Sequence, residues 1–198
     1  MRHDHRTAHG FSHFDSLAPF YEAFIKPQSP RELLALAALP VEGALLDVGG
    51  GTGRVTQFLR DMATSLIVAD PSWQMLKEAY KKGGLHPICS HAEKLPFPDA
   101  SFARIIMVDA LHHVCNQRQT AQELWRVLQP GGRIVIEEPD VRTLAVRLIA
   151  LAEKLALMRS HFLTPPQIAR LFPYPDARVH IETKRSIAWI MVEKEHTW

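Results

Sequence analysis

The sequence predicts a doubly wound α/β fold, in which helices cover both faces of a mainly parallel sheet. From about Ala44 to Glu138, short apolar runs alternate with segments of helical period, and this alternation is typical of a parallel sheet. Near the C-terminus, the run RVHIETKRSIAWIMVEK is typical of two strands joined by a turn too short for a parallel crossover. We therefore expect the sheet to end in an antiparallel hairpin.

Glycine and proline divide this pattern into separate elements. The strands are predicted at Ala44–Val48, Ser65–Ala69, Pro87–Ser90, Ala103–Val108, Arg133–Glu137, Arg178–Thr183 and Ser186–Glu193. Helices are predicted at Gly53–Met62, Trp73–Lys82, Gln117–Leu128 and Val141–Met158, after a cap at Thr164, and in FDSLAPFYEAFIKP and SPRELLALAAL. The helix Val141–Met158 is expected either to pack on the core or to cover an apolar substrate.

The chain of 198 residues is expected to form one domain. Within it we predict an N-terminal helical lid (1–40), a ligand-binding core (41–139), and lid helices with the hairpin (140–198). A net charge of +2 without a basic run gives no reason to expect a nucleic-acid partner. Without a secretory signal or an apolar run of about 20 residues, a cytoplasmic protein with no transmembrane segment is expected. Cys89 and Cys115 lack metal-site spacing and are expected to be buried thiols.

The stretch ALLDVGGGTGRV carries the strongest functional signal. A buried strand that enters a glycine-rich turn offers free backbone N–H groups and close approach to a ligand. The glycines follow a G-x-G-x-G pattern, which differs from the G-x-G-x-x-G typical of dinucleotide enzymes. At the end of the second strand, about 20 residues further on, Asp70 is suited to bind the two hydroxyls of a ribose. The sequence therefore predicts a nucleoside-containing cofactor at this turn.

Four blocks in order resemble the class I S-adenosylmethionine-dependent methyltransferases: LLDVGGGTGRV, VADPSWQML, HAEKLPFPDASFARIIMVDALHHV and ELWRVLQPGGRIVIEEP. They are similar to the methyltransferase type 11 group, which includes the ubiquinone and menaquinone C-methyltransferases. The resemblance implies a Rossmann-like sheet of order 3-2-1-4-5-7-6 with the last strand antiparallel. It also implies S-adenosylmethionine as cofactor, S-adenosylhomocysteine as product and no metal.

The same resemblance implies a cofactor site assembled from the loops after the strands. Its residues are Asp47, Gly49 and Gly51 at the methionine end, Asp70 at the ribose, Met75 near the adenine, Ala92 and Glu93 in the loop that faces the adenine, and also Gly50, Gly53, Pro71, His91 and Asp109. Tyr21 is expected to be either a lid residue or a core aromatic. His91 stands where relatives often have an aspartate that accepts from the adenine amino group.

The segment DALHHV should rim the reacting centre, because ligands bind at the carboxyl ends of such strands. Asp109, His112 and His113 are the candidate catalytic residues. Either histidine is a candidate general base for an acceptor with an acidic proton, and the alternative is a hydrogen bond within the fold. Asp109 is expected to hold the methionine ammonium or the substrate, or else to cap the following loop.

These residues predict methyl transfer to a small molecule, with an apolar aromatic or quinone-like metabolite as the first interpretation. A cofactor-binding protein without transferase activity, used as a sensor or partner subunit, stays open as an alternative, and a nicotinamide-dependent oxidoreductase is disfavoured by the glycine spacing. Methylation of nucleic-acid amino groups is disfavoured because VDALHH lacks an Asn/Asp-Pro-Pro-aromatic motif. The N-terminal histidines, at irregular spacing, predict a mobile tail rather than a metal site. Oligomeric state is left open.

Overall fold

The structure, a computed structural model, describes residues 31–143, 146–147 and 160–196. The predicted N-terminal lid up to residue 30, including Tyr21 and the N-terminal histidines, lies outside the described residues. So does most of the predicted helix Val141–Met158. Residues 141–143 of that prediction form a turn, and residues 146–147 are helical.

Seven strands form a single sheet in the order β3-β2-β1-β4-β5-β7-β6, which confirms the predicted topology. The strands are β1 (Ala44–Val48), β2 (Ser65–Asp70), β3 (His86–Cys89), β4 (Phe102–Val108), β5 (Leu128–Pro139), β6 (Ala177–Lys184) and β7 (Ile187–Lys194). Strands β1 to β5 pair in parallel, and β7 pairs antiparallel with both β5 and β6. The predicted bounds of every strand except β5 lie within one residue of these.

Four α-helices are described: α1 (Arg31–Leu36), α2 (Trp73–Lys81), α3 (Gln117–Val127) and α4 (Pro165–Ala169). The side chain of Ser72 caps α2 by accepting from the Met75 N–H at 3.2 Å, and Asn116 caps α3 in the same way. Because a capping side chain supplies an acceptor for the first turn's N–H groups, these polar residues fix where the two helices begin.

The predicted helix Gly53–Met62 is wrong. The chain there forms a series of turns with only a short 3-10 helix at Thr56–Leu59. Gly53 has φ +69° and Asp61 has φ +65°, and neither is compatible with a right-handed helix. The apolar spacing between them resembles a helix, but backbone conformations at both ends interrupt it.

Strand β5 begins at Leu128 rather than at the predicted Arg133. The run QPGG, which stands between the predicted helix Gln117–Leu128 and the predicted strand, belongs to the strand, and Leu128 already pairs with Phe102 ahead of a register shift. The two cysteines were expected to be buried, and both are exposed. Cys89 is the last residue of the outer strand β3, and Cys115 lies in the loop before α3. Neither position belongs to the hydrophobic core.

The core lies on both faces of the sheet. One layer contains Leu33 of α1, Leu76 of α2 and the β1 residue Leu45. The other contains Leu124 of α3, Ile168 of α4 and the β1 residue Leu46. Because successive strand residues point to opposite faces, Leu45 and Leu46 contribute one side chain to each layer. This packing fixes the carboxyl ends of β1 to β5 along one edge.

Candidate functional site

The site predicted from the sequence lies at the edge where the carboxyl ends of β1 to β5 meet. Strand β1 stands between β2 and β4, so the direction of the crossover connections reverses there. Ligands in open α/β sheets bind in the crevice at such a switch point. The loops after β1 and β4 therefore form the centre of the candidate site.

The glycine turn after β1 is closed at one position and open at another. Gly49 and Gly51 both have positive φ, +72° and +53°. A Cβ on Gly49 would lie 2.6 Å from the Cβ of Ala110, so the turn packs directly against the loop after β4. Among the described residues, a Cβ on Gly51 would meet nothing closer than the Asp70 Oδ2 atom at 3.9 Å. The open space in front of Gly51 is where a ligand can approach the backbone.

Asp70 ends β2 and connects two loops. Its Oδ2 accepts from the Gly51 N–H at 3.0 Å, and its Oδ1 accepts from the Ser72 N–H at 2.8 Å. These two backbone donors orient the carboxylate toward the open side of the glycine turn. The predicted ribose-binding residue and the predicted methionine-binding turn are thus joined by a direct hydrogen bond.

Asp47 lies beneath the turn rather than in front of it. Its side chain is buried and accepts a hydrogen bond from the Thr56 hydroxyl. A Cβ on Gly50 would be 2.5 Å from Asp47 Oδ2, so this carboxyl group fills the space under the turn. Burial is the main cause that raises the pKa of Asp47 to about 7, and the nearby Asp70 charge adds to it, against the lowering effect of the Thr56 hydrogen bond. Asp47 can therefore act on a ligand by shaping the turn.

Asp109 follows β4 with φ +51°, a conformation that non-glycine residues rarely adopt. Its Oδ2 lies 3.9 Å from the Nη2 of Arg54, a residue on the glycine turn that was not among the predicted site residues. Burial and the neighbouring Glu138 raise the pKa of Asp109 above its ordinary value. The turns after β1 and β4 therefore bring opposite charges together at the switch point.

The two predicted histidines have different surroundings. His112 is buried, its Nδ1 lies 2.6 Å from Glu138 Oε2, and its ring stacks on that of Phe162 with centroids 4.4 Å apart. His113 is half-buried, and its Nδ1 lies 3.3 Å from the hydroxyl of Ser160. Burial, together with the adjacent His112, lowers the pKa of His113 to about 4. His113 is therefore neutral and weakly basic at physiological pH.

The residues predicted around the adenine lie on α2 and in the loop after β3. Met75 and Ala92 are buried and His91 is exposed; Pro71, which lies between β2 and α2, is exposed as well. The Oε1 of Glu93 accepts from the backbone N–H groups of Cys115 and Asn116 at 2.8 and 3.0 Å. Its carboxylate thus ties this loop to the start of α3.

Arg54, Glu138 and Phe162 are the site residues that sequence reasoning missed. Arg54 and Glu138 both stand inside motifs that were recognised, GGGTGRV and EEP, but their partners are far away in the chain. A charged residue at the end of a strand was an available signal for Glu138, since carboxyl ends of parallel strands converge. No spacing pattern pointed to Phe162.

The described part of the chain offers neither a metal site nor a membrane-spanning helix. Within residues 31–143, 146–147 and 160–196, no cluster of three or more His, Cys, Asp and Glu side chains is arranged to hold a metal ion. No helix in the same ranges is long and apolar enough to cross a membrane.

Residues 46–136 match the family model described as a methyltransferase domain. The chain is similar to the ubiquinone/menaquinone biosynthesis C-methyltransferase UbiE of Pseudomonas paraeruginosa, with 33% identity over 118 residues that cover 54% of this chain and 46% of that relative. The UbiE protein of Vibrio cholerae is 36% identical over 104 residues, which cover 48% of this chain and 40% of that relative. The chain therefore spans less than half the length of these curated relatives.

A crystal structure from Thermotoga maritima has the same fold. It is described as an S-adenosylmethionine-dependent methyltransferase and possible histamine N-methyltransferase. The TM-score is 0.76 at 22% identity, over 92% of this chain and 98% of that one. At 22% identity, the similarity between the two chains shows a shared fold and carries no statement about function.

Proposed function

We propose that the chain is a class I S-adenosylmethionine-dependent methyltransferase that transfers a methyl group to a small-molecule acceptor; the match of residues 46–136 to a methyltransferase domain and the similarity to the UbiE proteins support this. The observation that carries this proposal is the junction of the glycine turn with Asp70. There the Gly51 N–H donates to the carboxylate at 3.0 Å beside open space.

The residues at this edge fit the chemical groups of the cofactor. A ribose offers two hydroxyl donors, and Asp70 offers a carboxylate already oriented by two backbone N–H groups. The cofactor's amino acid part needs backbone N–H groups for its carboxylate and an acidic partner for its ammonium. The backbone N–H groups of the turn at residues 49–53 are suited to bind the carboxylate, and Asp109 is suited to bind the ammonium. Asp47 lies beneath the turn and supports it.

S-adenosylmethionine supplies an activated methyl group on a positively charged sulfur when it is bound. The protein must then hold the acceptor's nucleophilic atom about 3 Å from that methyl group and keep water away. The contact of Ala110 with Gly49 brings the loop after β4 against the glycine turn. Asp109, His112 and His113 belong to this loop, so the acceptor is proposed to bind beside it.

An apolar aromatic or quinone-like carbon acceptor is the finer proposal. The names of the UbiE relatives support it, and so does the stacked pair of His112 and Phe162, which offers ring surfaces next to the proposed reaction centre. A carbon acceptor must lose a proton, so a general base is required. His112 is the better candidate, because it contacts the Glu138 carboxyl group whereas the pKa of His113 is lowered to about 4.

Calorimetric titration with S-adenosylmethionine, S-adenosylhomocysteine and NADH tests the proposal. The wild-type chain is expected to bind the first two. Asp70→Ala should weaken both about 5- to 150-fold, since it removes ribose hydrogen bonds worth about 1–3 kcal/mol. Asp99→Ala is the matched control, because Asp99 is an exposed aspartate just before β4, at the opposite edge of the sheet. Binding of NADH alone, or an Asp70→Ala variant that binds as tightly as the wild type, would contradict the site assignment.

A labelled-methyl screen then tests transfer itself. The acceptors should include reduced quinones, other hydroxylated aromatic compounds and amines, and formation of S-adenosylhomocysteine is the common readout. We expect turnover on an aromatic carbon acceptor. Tight cofactor binding with no turnover on any acceptor would instead support a sensor or a partner subunit.

A further inference from the structure

Glu138 occupies a buried position to which two backbone hydrogen-bond donors and a ring nitrogen of His112 converge. Its Oε1 accepts from the backbone N–H groups of Ala110 and Leu111 at 3.0 and 2.8 Å. Its Oε2 lies 2.6 Å from Nδ1 of His112. The side chains of Glu138 and His112 are only 4% and 5% exposed, so this arrangement is shielded from water. Breaking one such contact leaves a buried polar group without its partner.

The carboxylate holds a turn whose geometry is otherwise costly. Asp109 begins this turn with positive φ, and Ala110 packs against Gly49 of the cofactor turn. The backbone N–H groups that Glu138 binds belong to the two residues that follow Asp109. Glu138 therefore fixes the position of the loop after β4 relative to the glycine turn.

The same loop is held from its other side by the segment at residues 160–163. The His161 N–H donates to the His112 carbonyl at 2.7 Å, and Phe162 stacks on the His112 ring. The side-chain amide of Gln117 donates to the carbonyls of both Leu111 and His161. The His112 ring is thus clamped between Glu138 and Phe162, which leaves it little rotational freedom.

We propose that Glu138 is a positioning residue that holds His112 as the Nδ1–H tautomer and so makes its Nε2 the basic nitrogen of the site. The carboxylate accepts at every one of its contacts, and an imidazole that donates through Nδ1 must carry its lone pair on Nε2. This inference deepens the proposed function and rests on it for its catalytic consequence. The tautomer itself is independent of any reaction.

For a carbon acceptor the proton balance is simple. The proton of the acceptor's C–H bond passes to Nε2 of His112, and the electron pair of that bond goes into the new carbon–methyl bond. The carbon–sulfur bond breaks with its electron pair staying on sulfur. The imidazolium that forms is stabilised by the Glu138 carboxylate on its other side.

The variant Glu138→Gln tests the proposal with little change of shape. The glutamine oxygen can still accept from Ala110 and Leu111, but its NH₂ group would face Nδ1 of His112. Nδ1 must then become an acceptor, and the ring is expected to switch to the Nε2–H tautomer. Nitrogen-15 NMR of labelled histidine distinguishes the two tautomers, and the His112 signal is assigned by its loss in His112→Gln.

Glu137→Gln is the matched control. Glu137 is the preceding residue on β5, and its carboxyl group binds the indole N–H of Trp189 instead of His112. We expect this variant to keep the Nδ1–H tautomer. With the best acceptor, Glu138→Gln should lower kcat by about 100-fold or more, which is typical of losing an oriented base, while the Kd of S-adenosylhomocysteine stays within about twofold. Glu137→Gln should leave kcat within about threefold of the wild type.

Each outcome has a defined meaning. A wild-type His112 in the Nε2–H tautomer overturns the proposal, and this measurement needs no acceptor. An unchanged tautomer or an unchanged kcat in folded Glu138→Gln overturns it as well. A wild-type Nδ1–H tautomer that switches in the variant, in a chain that methylates nothing, upholds the positioning role and rejects the proposed function alone.

Discussion

At the scale of single residues, Asp47 shows how burial sets chemistry at this site. Its carboxyl group lies under the glycine turn, and burial raises its pKa from 3.8 to about 7. At a pH between these two pKa values, the Asp47 carboxyl group is ionised in the unfolded chain and still protonated in the folded chain. The contribution of Asp47 to the free energy of unfolding therefore decreases as pH rises from about 4 to about 7, because ionisation of this group favours the unfolded state. Above about pH 7, Asp47 is ionised in both the folded and the unfolded chain, so its destabilising contribution no longer changes with pH.

The variant Asp47→Asn should remove this pH dependence, because the amide carbonyl can still accept from Thr56 while the side chain no longer titrates. We expect the free energy of unfolding of the variant, relative to that of the wild type, to increase from pH 4 to pH 7. The increase is at most about 4 kcal/mol. Urea denaturation at several pH values measures it. Parallel pH profiles for the two proteins would show that Asp47 titrates normally.

At the scale of elements, the glycine turn combines backbone strain with an opening for the ligand. Gly51 and Gly83 both have positive φ, +53° and +68°. A Cβ on either residue meets no atom closer than 3.9 Å in the described part of the chain. They differ in location, since Gly51 faces Asp70 and Gly83 follows helix α2. A substitution at Gly83 therefore measures the effect of backbone strain alone, whereas the same substitution at Gly51 adds the effect of blocking the proposed site.

Gly51→Ala and Gly83→Ala are expected to lose similar stability, about 1–2 kcal/mol each, because alanine is strained in the left-handed conformation. Only Gly51→Ala should weaken binding of S-adenosylhomocysteine, by more than about tenfold, since its methyl group would occupy the opening. Chemical denaturation and calorimetry measure the two effects. Equal affinities in the two variants would place the ligand elsewhere.

Most elements could be predicted from the sequence, because strands rich in β-branched residues and capped helices carry their signals locally. The region Gly53–Met62 could not, since positive φ at its two ends leaves no trace in apolar spacing. The partner of Glu138 could not be assigned either. It and Glu137 are adjacent in the chain, yet they point to opposite faces of β5, one toward His112 and the other toward Trp189. Their partners are known only once the strands are paired.

At the scale of the whole molecule, one sheet carries two apolar layers. Trp125 belongs to one layer and Trp189 to the other. Neighbouring residues of the central strands pack into opposite layers, so neither layer can be lost without disturbing the sheet. The described residues thus support the predicted single domain, which stays a prediction for the complete chain.

A single domain predicts a single cooperative unfolding transition. Tryptophan fluorescence, which reports on both layers, and far-UV circular dichroism should give coincident denaturation curves. S-adenosylhomocysteine at about 100 times its Kd should shift both curves together, by about 2.7 kcal/mol. Two separated transitions, or a shift of only one signal, would divide the chain into independent units.

The strand order also has a consequence for the protein at high concentration. Among the described residues, β3 and β6 have a neighbouring strand on one side only. Such edges can recruit strands from other molecules and start aggregation. Strand β3 contains Pro87, which cannot donate a ladder hydrogen bond, and β6 carries charged side chains at Arg178, Glu182 and Lys184. Both outer strands thus bear features that discourage edge-to-edge association between copies of the chain.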